Sequence, residues 1–92
     1  MSNRDFKKLR KSVKKASFDA DKFIFIEAAA ATSNFSDKQC LKLMDEFSFD
    51  NEKLRVLEIV APKLVGKVNS VKILSTFEFT QPRKKAAQIL HP

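Results

Sequence analysis

Ninety-two residues, 43% hydrophobic and 32% charged, with nine Phe but one Gly and three Pro, fit one small folded domain and exclude a disordered tail or a second catalytic domain. One Cys and one His cannot build an internal disulfide framework or a four-ligand zinc site, so no cofactor or metal is expected. A net charge of +7 permits attraction to nucleic acid or an anionic membrane without specifying either.

The charge is uneven along the chain. Residues 1–16 carry seven basic groups against Asp5, residues 17–61 five basic against nine acidic, and residues 62–92 six basic against Glu78. Both ends are basic and the middle is acidic. The basic start has no apolar stretch after it, and the longest apolar run, Phe23 to Ala31, is interrupted by Glu27, so neither a signal peptide nor a membrane span is read here. With a lone free thiol, the expected location is intracellular, in the cytoplasm.

In the first segment Phe6, Leu9 and Val13 share one face among lysines and arginines, which predicts an amphipathic N-terminal helix over residues 1–16. The second, Asp19 to about Thr32, is apolar nearly all round and reads as a central helix. Its Phe23-Ile24-Phe25-Ile26 would suit a strand, but the four alanines that follow favour helix. In the third, Ser36 to about Glu46, Cys40, Leu41, Met44 and the closing Phe47 share a face; in the fourth, Asp50 to about Val65, Leu54, Leu57, Ala61 and Leu64 do. Pro62 predicts a kink near Ala61, and Gly66 a left-handed stop. Val71, Leu74 and Phe77 form a fifth stripe, and Ala86, Ile89 and Leu90 a sixth.

The helix starts repeat a pattern. An apolar residue precedes a cap and faces a partner five residues on, as in a hydrophobic staple: Phe18-Asp19, Phe35-Ser36, Phe49-Asp50 and Val68-Asn69, with Phe79-Thr80 lacking the partner. Only Ser36 with Gln39 reads as a full capping box. Ser17-Phe18-Asp19-Ala20-Asp21-Lys22-Phe23 aligns with Ser48-Phe49-Asp50-Asn51-Glu52-Lys53-Leu54 at an offset of 31, a period typical of stacked helix pairs. The expected fold is all-α, a single domain of five or six short helices, with helix pairs at 17–47 and 48–77 and a C-terminal helix at 78–92. Phe18 and Phe49 are expected to be equivalent and buried.

The motifs Ser17-Phe18-Asp19, Phe35-Ser36-Asp37-Lys38-Gln39, Phe47-Ser48-Phe49-Asp50-Asn51-Glu52-Lys53-Leu54, Ala61-Pro62 and Phe77-Glu78-Phe79 resemble an uncharacterised helical family of animal and bacterial proteins, domain of unknown function 4476. The resemblance runs from about Phe6 to about Leu90. It implies a fold and supplies no site. The basic Gln81-Pro82-Arg83-Lys84-Lys85 departs from the serine-rich start of the last helix in that family.

Catalytic chemistry finds little footing. The only His is penultimate, Cys40 reads as a small core residue, and Asp19 and Asp50 are explained as caps with acidic neighbours in the first turn. A single Gly excludes a glycine-rich phosphate loop. The chain is therefore expected to be non-enzymatic, a helical protein interaction or scaffold module whose partner is another protein or a second copy. The alternative is a basic module for nucleic acid or anionic lipid, carried by Lys7, Lys8, Arg10, Lys11, Lys14 and Lys15 and joined by Arg83, Lys84 and Lys85.

Overall fold

Each helix begins where a cap or an extended residue frees the chain from the preceding turn. In a computed structural model that describes all residues, Met1–Pro92, six α-helices form: α1 (Asn3–Lys15), α2 (Asp19–Thr32), α3 (Asp37–Met44), α4 (Asp50–Val60), α5 (Ser70–Leu74) and α6 (Thr80–Leu90). The all-α reading holds, and Phe23 to Ile26 are helical. Ser2, Ser36 and Asn69 cap α1, α3 and α5 through their side chains. Gln39 returns a bond to the Ser36 amide at 3.1 Å, completing the capping box, and its Nε2 also donates to the Met1 carbonyl at 2.7 Å.

The fourth helix stops earlier than Val65. After Val60 the backbone tightens into a 3-10 turn, Ala61–Lys63, because Pro62 has no amide hydrogen to continue the α-ladder. Leu64 then forms an isolated parallel bridge with Phe35, in which the Phe35 amide donates to Lys63 at 2.8 Å and the Val65 amide to Phe35 at 2.9 Å. Gly66, at φ +79°, turns the chain away in the left-handed region open to glycine.

Consecutive helices pack as α1 on α2, α3 on α4 and α5 on α6, while α2, α4 and α6 lie side by side. The 17–47 and 48–77 segments each join an even helix to the next odd one, so the repeat period runs across these hairpins. Every helix gives at least one residue to a core of 16 buried apolar side chains. The centre is α4, with Val56, Leu57 and Val60 all buried. The expectation of a central α2 fails: between α1 and α4 it buries only Ile26 and Ala30 fully and leaves Ile24 and Phe25 exposed. The fifth stripe also shifts. Ile73 and Phe77 are buried, whereas Val71 is exposed, because one and a half turns of α5 present only one side to the core. In α3 the buried face includes Leu43, and Leu41 is only half-buried.

The first helix docks as its periodicity predicts. Phe6, Leu9 and Val13 are buried, and the lysines of the opposite side stay in water. No helix is long and apolar enough to cross a membrane.

Candidate interaction surface

Three phenylalanines stand at one end of the even-helix layer. Phe18, Phe49 and Phe79 each hold the N-cap position of their helix, with φ and ψ of −114° and 141°, −107° and 147°, and −109° and 153°. Their backbones are equivalent, as the 31-residue offset predicts for Phe18 and Phe49. Their burial is not: they are 70%, 68% and 64% exposed, which corrects the expectation that Phe18 and Phe49 lie in the core. The place at the end of the core is already filled by Phe47 and Phe77, two residues before Phe49 and Phe79, and both are buried. Phe23, the anticipated staple partner of Phe18, instead stacks on Phe47, with ring centres 4.8 Å apart and planes 6° from parallel. Staple positions are covered only before odd helices, where Phe35 is buried and Val68 packs against the core.

Carboxylates tie these three helix starts together. Asp50, the first residue of α4, accepts from the amides of Glu78 at 3.0 Å and Phe79 at 2.9 Å, so it serves the start of α6 and not its own helix. Glu52 accepts from the Phe49 amide at 3.2 Å. Its carboxyl also hydrogen-bonds that of Asp19, the first residue of α2, and this bond, with partial burial, holds the Glu52 pKa above its ordinary value against the opposing pull of the Phe49 and Ser48 amides. The N-termini of α2, α4 and α6 are therefore neighbours, which sets Phe18, Phe49 and Phe79 in a row of successive helix starts. Past Phe18 the surface continues into an open depression lined by Ser12, Lys15, Ala16, Asp21, Ile24 and Phe25.

The cations of these first turns point the other way. Lys53 Nζ donates to the Thr76 carbonyl at 3.0 Å, and Arg83 donates to the carbonyls of Leu74 and Phe77. Lys22 Nζ lies 6.0 Å from the centre of the Phe47 ring. Each closes the loop after an odd helix.

That arrangement divides the residues singled out for polyanion binding. Lys7, Lys8, Lys11, Lys14 and Lys15 on α1 and Lys84 and Lys85 on α6 are exposed. Arg83 is spent on internal carbonyls, and Arg10 pairs with Glu46 at 3.1 Å, with Lys14 3.9 Å from the same oxygen. The structure does not gather the two groups: α1 packs on α2 and α6 on α4 and α5, at opposite ends of the layer.

Nucleophile chemistry is equally plain. Cys40 is fully buried, its Sγ 3.9 Å from Met44 Sδ, and burial together with the Asp37 charge pushes its thiol up to about 12. His91 meets only the Ser70 hydroxyl, at 3.0 Å on the exposed chain end. Nowhere do three His, Cys, Asp or Glu side chains converge as a metal site would require.

The family model that describes DUF4476, a domain of unknown function, matches residues 1–90. The chain belongs to the DUF4476 family. No curated protein and no solved structure matches it. In this DUF4476 domain the Phe-Ser-Phe-Asp motif that carries the resemblance divides its labour: the first ring packs, the second is displayed, and the Asp locks the next helix pair. The sequence held a signal for this display, since Phe79 keeps the register of Phe18 and Phe49 with no staple partner to bury it.

Proposed function

We propose that this DUF4476 domain is a non-catalytic protein interaction module that binds through the row of Phe18, Phe49 and Phe79. The observation that carries the reading is threefold repetition. A single exposed ring is ordinary, but three at equivalent backbone positions, each about two-thirds exposed, form an apolar line of the kind that marks interaction sites. Aromatic anchors dominate binding energy once a partner excludes water from them. Stacked helix pairs commonly work through such extended surfaces.

The lysines of α1 support a second reading, attraction of a polyanion, whose signature is a steep loss of affinity with salt. It is weakened by the internal use of Arg10 and Arg83. The two readings separate in one comparison. Immobilised wild-type domain and the triple variant Phe18→Ala, Phe49→Ala, Phe79→Ala are exposed to nuclease-treated cell extract at moderate salt. The interaction reading expects proteins retained by the wild type and lost by the variant. Equal retention by both overturns it.

A further inference from the structure

We infer that the Phe18, Phe49 and Phe79 row receives a basic amphipathic helix of another protein, an inference that rests on the interaction reading above. The row lies among five carboxylates, of which Asp50 and Glu52 accept from backbone amides while Asp19, Asp21 and Glu78 are exposed, in a chain whose net charge is +7. The cations of the same turns do not offset them at the surface, because Lys22, Lys53 and Arg83 fold back onto Phe47, Thr76, Leu74 and Phe77. Lys14 and Lys15, in the last turn of α1, bring positive charge to the Phe18 end, and the exposed Lys84 and Lys85 lie in the second turn of α6, beyond Phe79.

This charge selects among occupants. Nucleic acid and anionic lipid would bring like charge against the carboxylates, a juxtaposition that opposes docking. A second copy offers a basic stripe on α1, but the apolar residues of that helix, Phe6, Leu9 and Val13, are buried in its own core and leave the rings nothing to bury. The occupant must carry lysine or arginine and apolar side chains together.

Spacing then selects its conformation. Helices packed side by side lie about 8–10 Å apart, which sets the interval between rings. A bound helix that rises about 1.5 Å per residue repeats a heptad position every ~10.5 Å on one face. An extended strand covers that interval in about three residues, at about 3.3 Å each, and its side chains alternate between faces, so successive anchors would point to opposite sides. A helix with apolar residues at heptad spacing and cations beside them meets both the rings and the carboxylates, the helix-in-groove mode of recognition.

The probe is a helical peptide with three leucines at heptad spacing flanked by lysines, titrated into the full chain and read by fluorescence anisotropy. A matched peptide with glutamate for lysine is the control. The lysine peptide is expected to bind and the glutamate peptide not to. Phe49→Ala with Phe79→Ala, and separately Asp21→Lys with Glu78→Lys, should each weaken binding by about tenfold or more. None of those four side chains makes an internal hydrogen bond, and circular dichroism is the check that each variant folds. Equal binding of the two peptides, or indifference to the charge reversals, overturns the basic assignment. So does binding to phosphatidylserine vesicles, or a dimer in sedimentation, that disappears with the same Phe substitutions. The extract comparison keeps the two readings apart: if the triple Phe variant still loses its retained proteins, the interaction module stands and only the partner chemistry falls.

Discussion

The carboxylate of Asp50 accepts the amide of Phe79 at 2.9 Å, so the first residue of one helix caps the start of another. The neighbouring Glu78 amide donates to both oxygens of the same carboxylate, at 3.0 and 3.1 Å. A helix start leaves amides without partners, and α6 has no side-chain cap of its own. Asp50→Ala is therefore expected to cost about 1.5–3 kcal/mol, the range for hydrogen bonds to a charged group. Urea denaturation measures it. Amide exchange should show the loss concentrated at the start of α6, and a stability equal to the parent would mean that water replaces the carboxylate without penalty.

The two rings of each Phe-x-Phe loop are expected to differ sharply. Phe47→Ala and Phe77→Ala each remove a buried ring and should cost about 3–5 kcal/mol, which for a domain of this size shifts the melting temperature by well over ten degrees at about 4–8 °C per kcal/mol. Phe49→Ala and Phe79→Ala remove exposed rings and should stay within about 0.5 kcal/mol of the parent. Thermal melts of the four variants decide it. A severe loss in Phe49→Ala would show that the ring packs in solution.

How much of this was legible depends on what each residue must satisfy. The Ser36 and Gln39 capping box is local, closed within four residues, and reads directly from the sequence. The 31-residue register likewise identified Phe18 and Phe49 as equivalent. Their exposure did not read out: Phe47, two positions before Phe49, takes the place in the core by stacking on Phe23 of another helix, whereas Phe18 follows Ala16 and has no such competitor. Asp50 illustrates the same limit. Its position before an apolar helix suits a cap, but the amides it serves are 28 and 29 residues away, beyond any local pattern. The central helix was misplaced for a related reason: the apolar content of α2 includes Ile24 and Phe25, which belong to the surface.

The contact between Glu52 and Asp19 makes stability depend on pH in an unusual direction for a carboxylate. The Glu52 pKa is raised in the folded state, first by its hydrogen bond to Asp19, so the folded chain holds that proton more tightly than the unfolded chain. The stabilisation is present below the ordinary glutamate range and is lost as pH rises through the raised folded value. Glu52→Gln keeps a neutral donor toward Asp19 and an acceptor for the Phe49 amide at every pH. The variant should match the parent near pH 4 and become the more stable of the two as pH approaches 7. Urea titrations across that interval measure the difference, and one that stays constant with pH would show that Glu52 does not titrate above its ordinary range in the folded chain.

Residues 1–16 test whether the most basic segment is structure or appendage. Phe6, Leu9 and Val13 are buried against the body, and Arg10 adds its bond to Glu46, two residues past the end of α3. Burial of each large apolar side chain is worth about 1.5–3 kcal/mol. Three of them approach the total stability of a small domain, about 5–15 kcal/mol. Deleting residues 1–16 should therefore leave a chain largely unfolded at room temperature by circular dichroism, where removal of a solvated tail would leave the melt unchanged. Lys7→Gln, Lys11→Gln and Lys14→Gln together remove three exposed charges and should keep the melting temperature within a few degrees of the parent, since surface ion pairs such as Lys14 with Glu46 contribute about 0–1 kcal/mol. If the triple Gln variant unfolds while the deletion does not, the lysines and not the apolar face hold α1 in place.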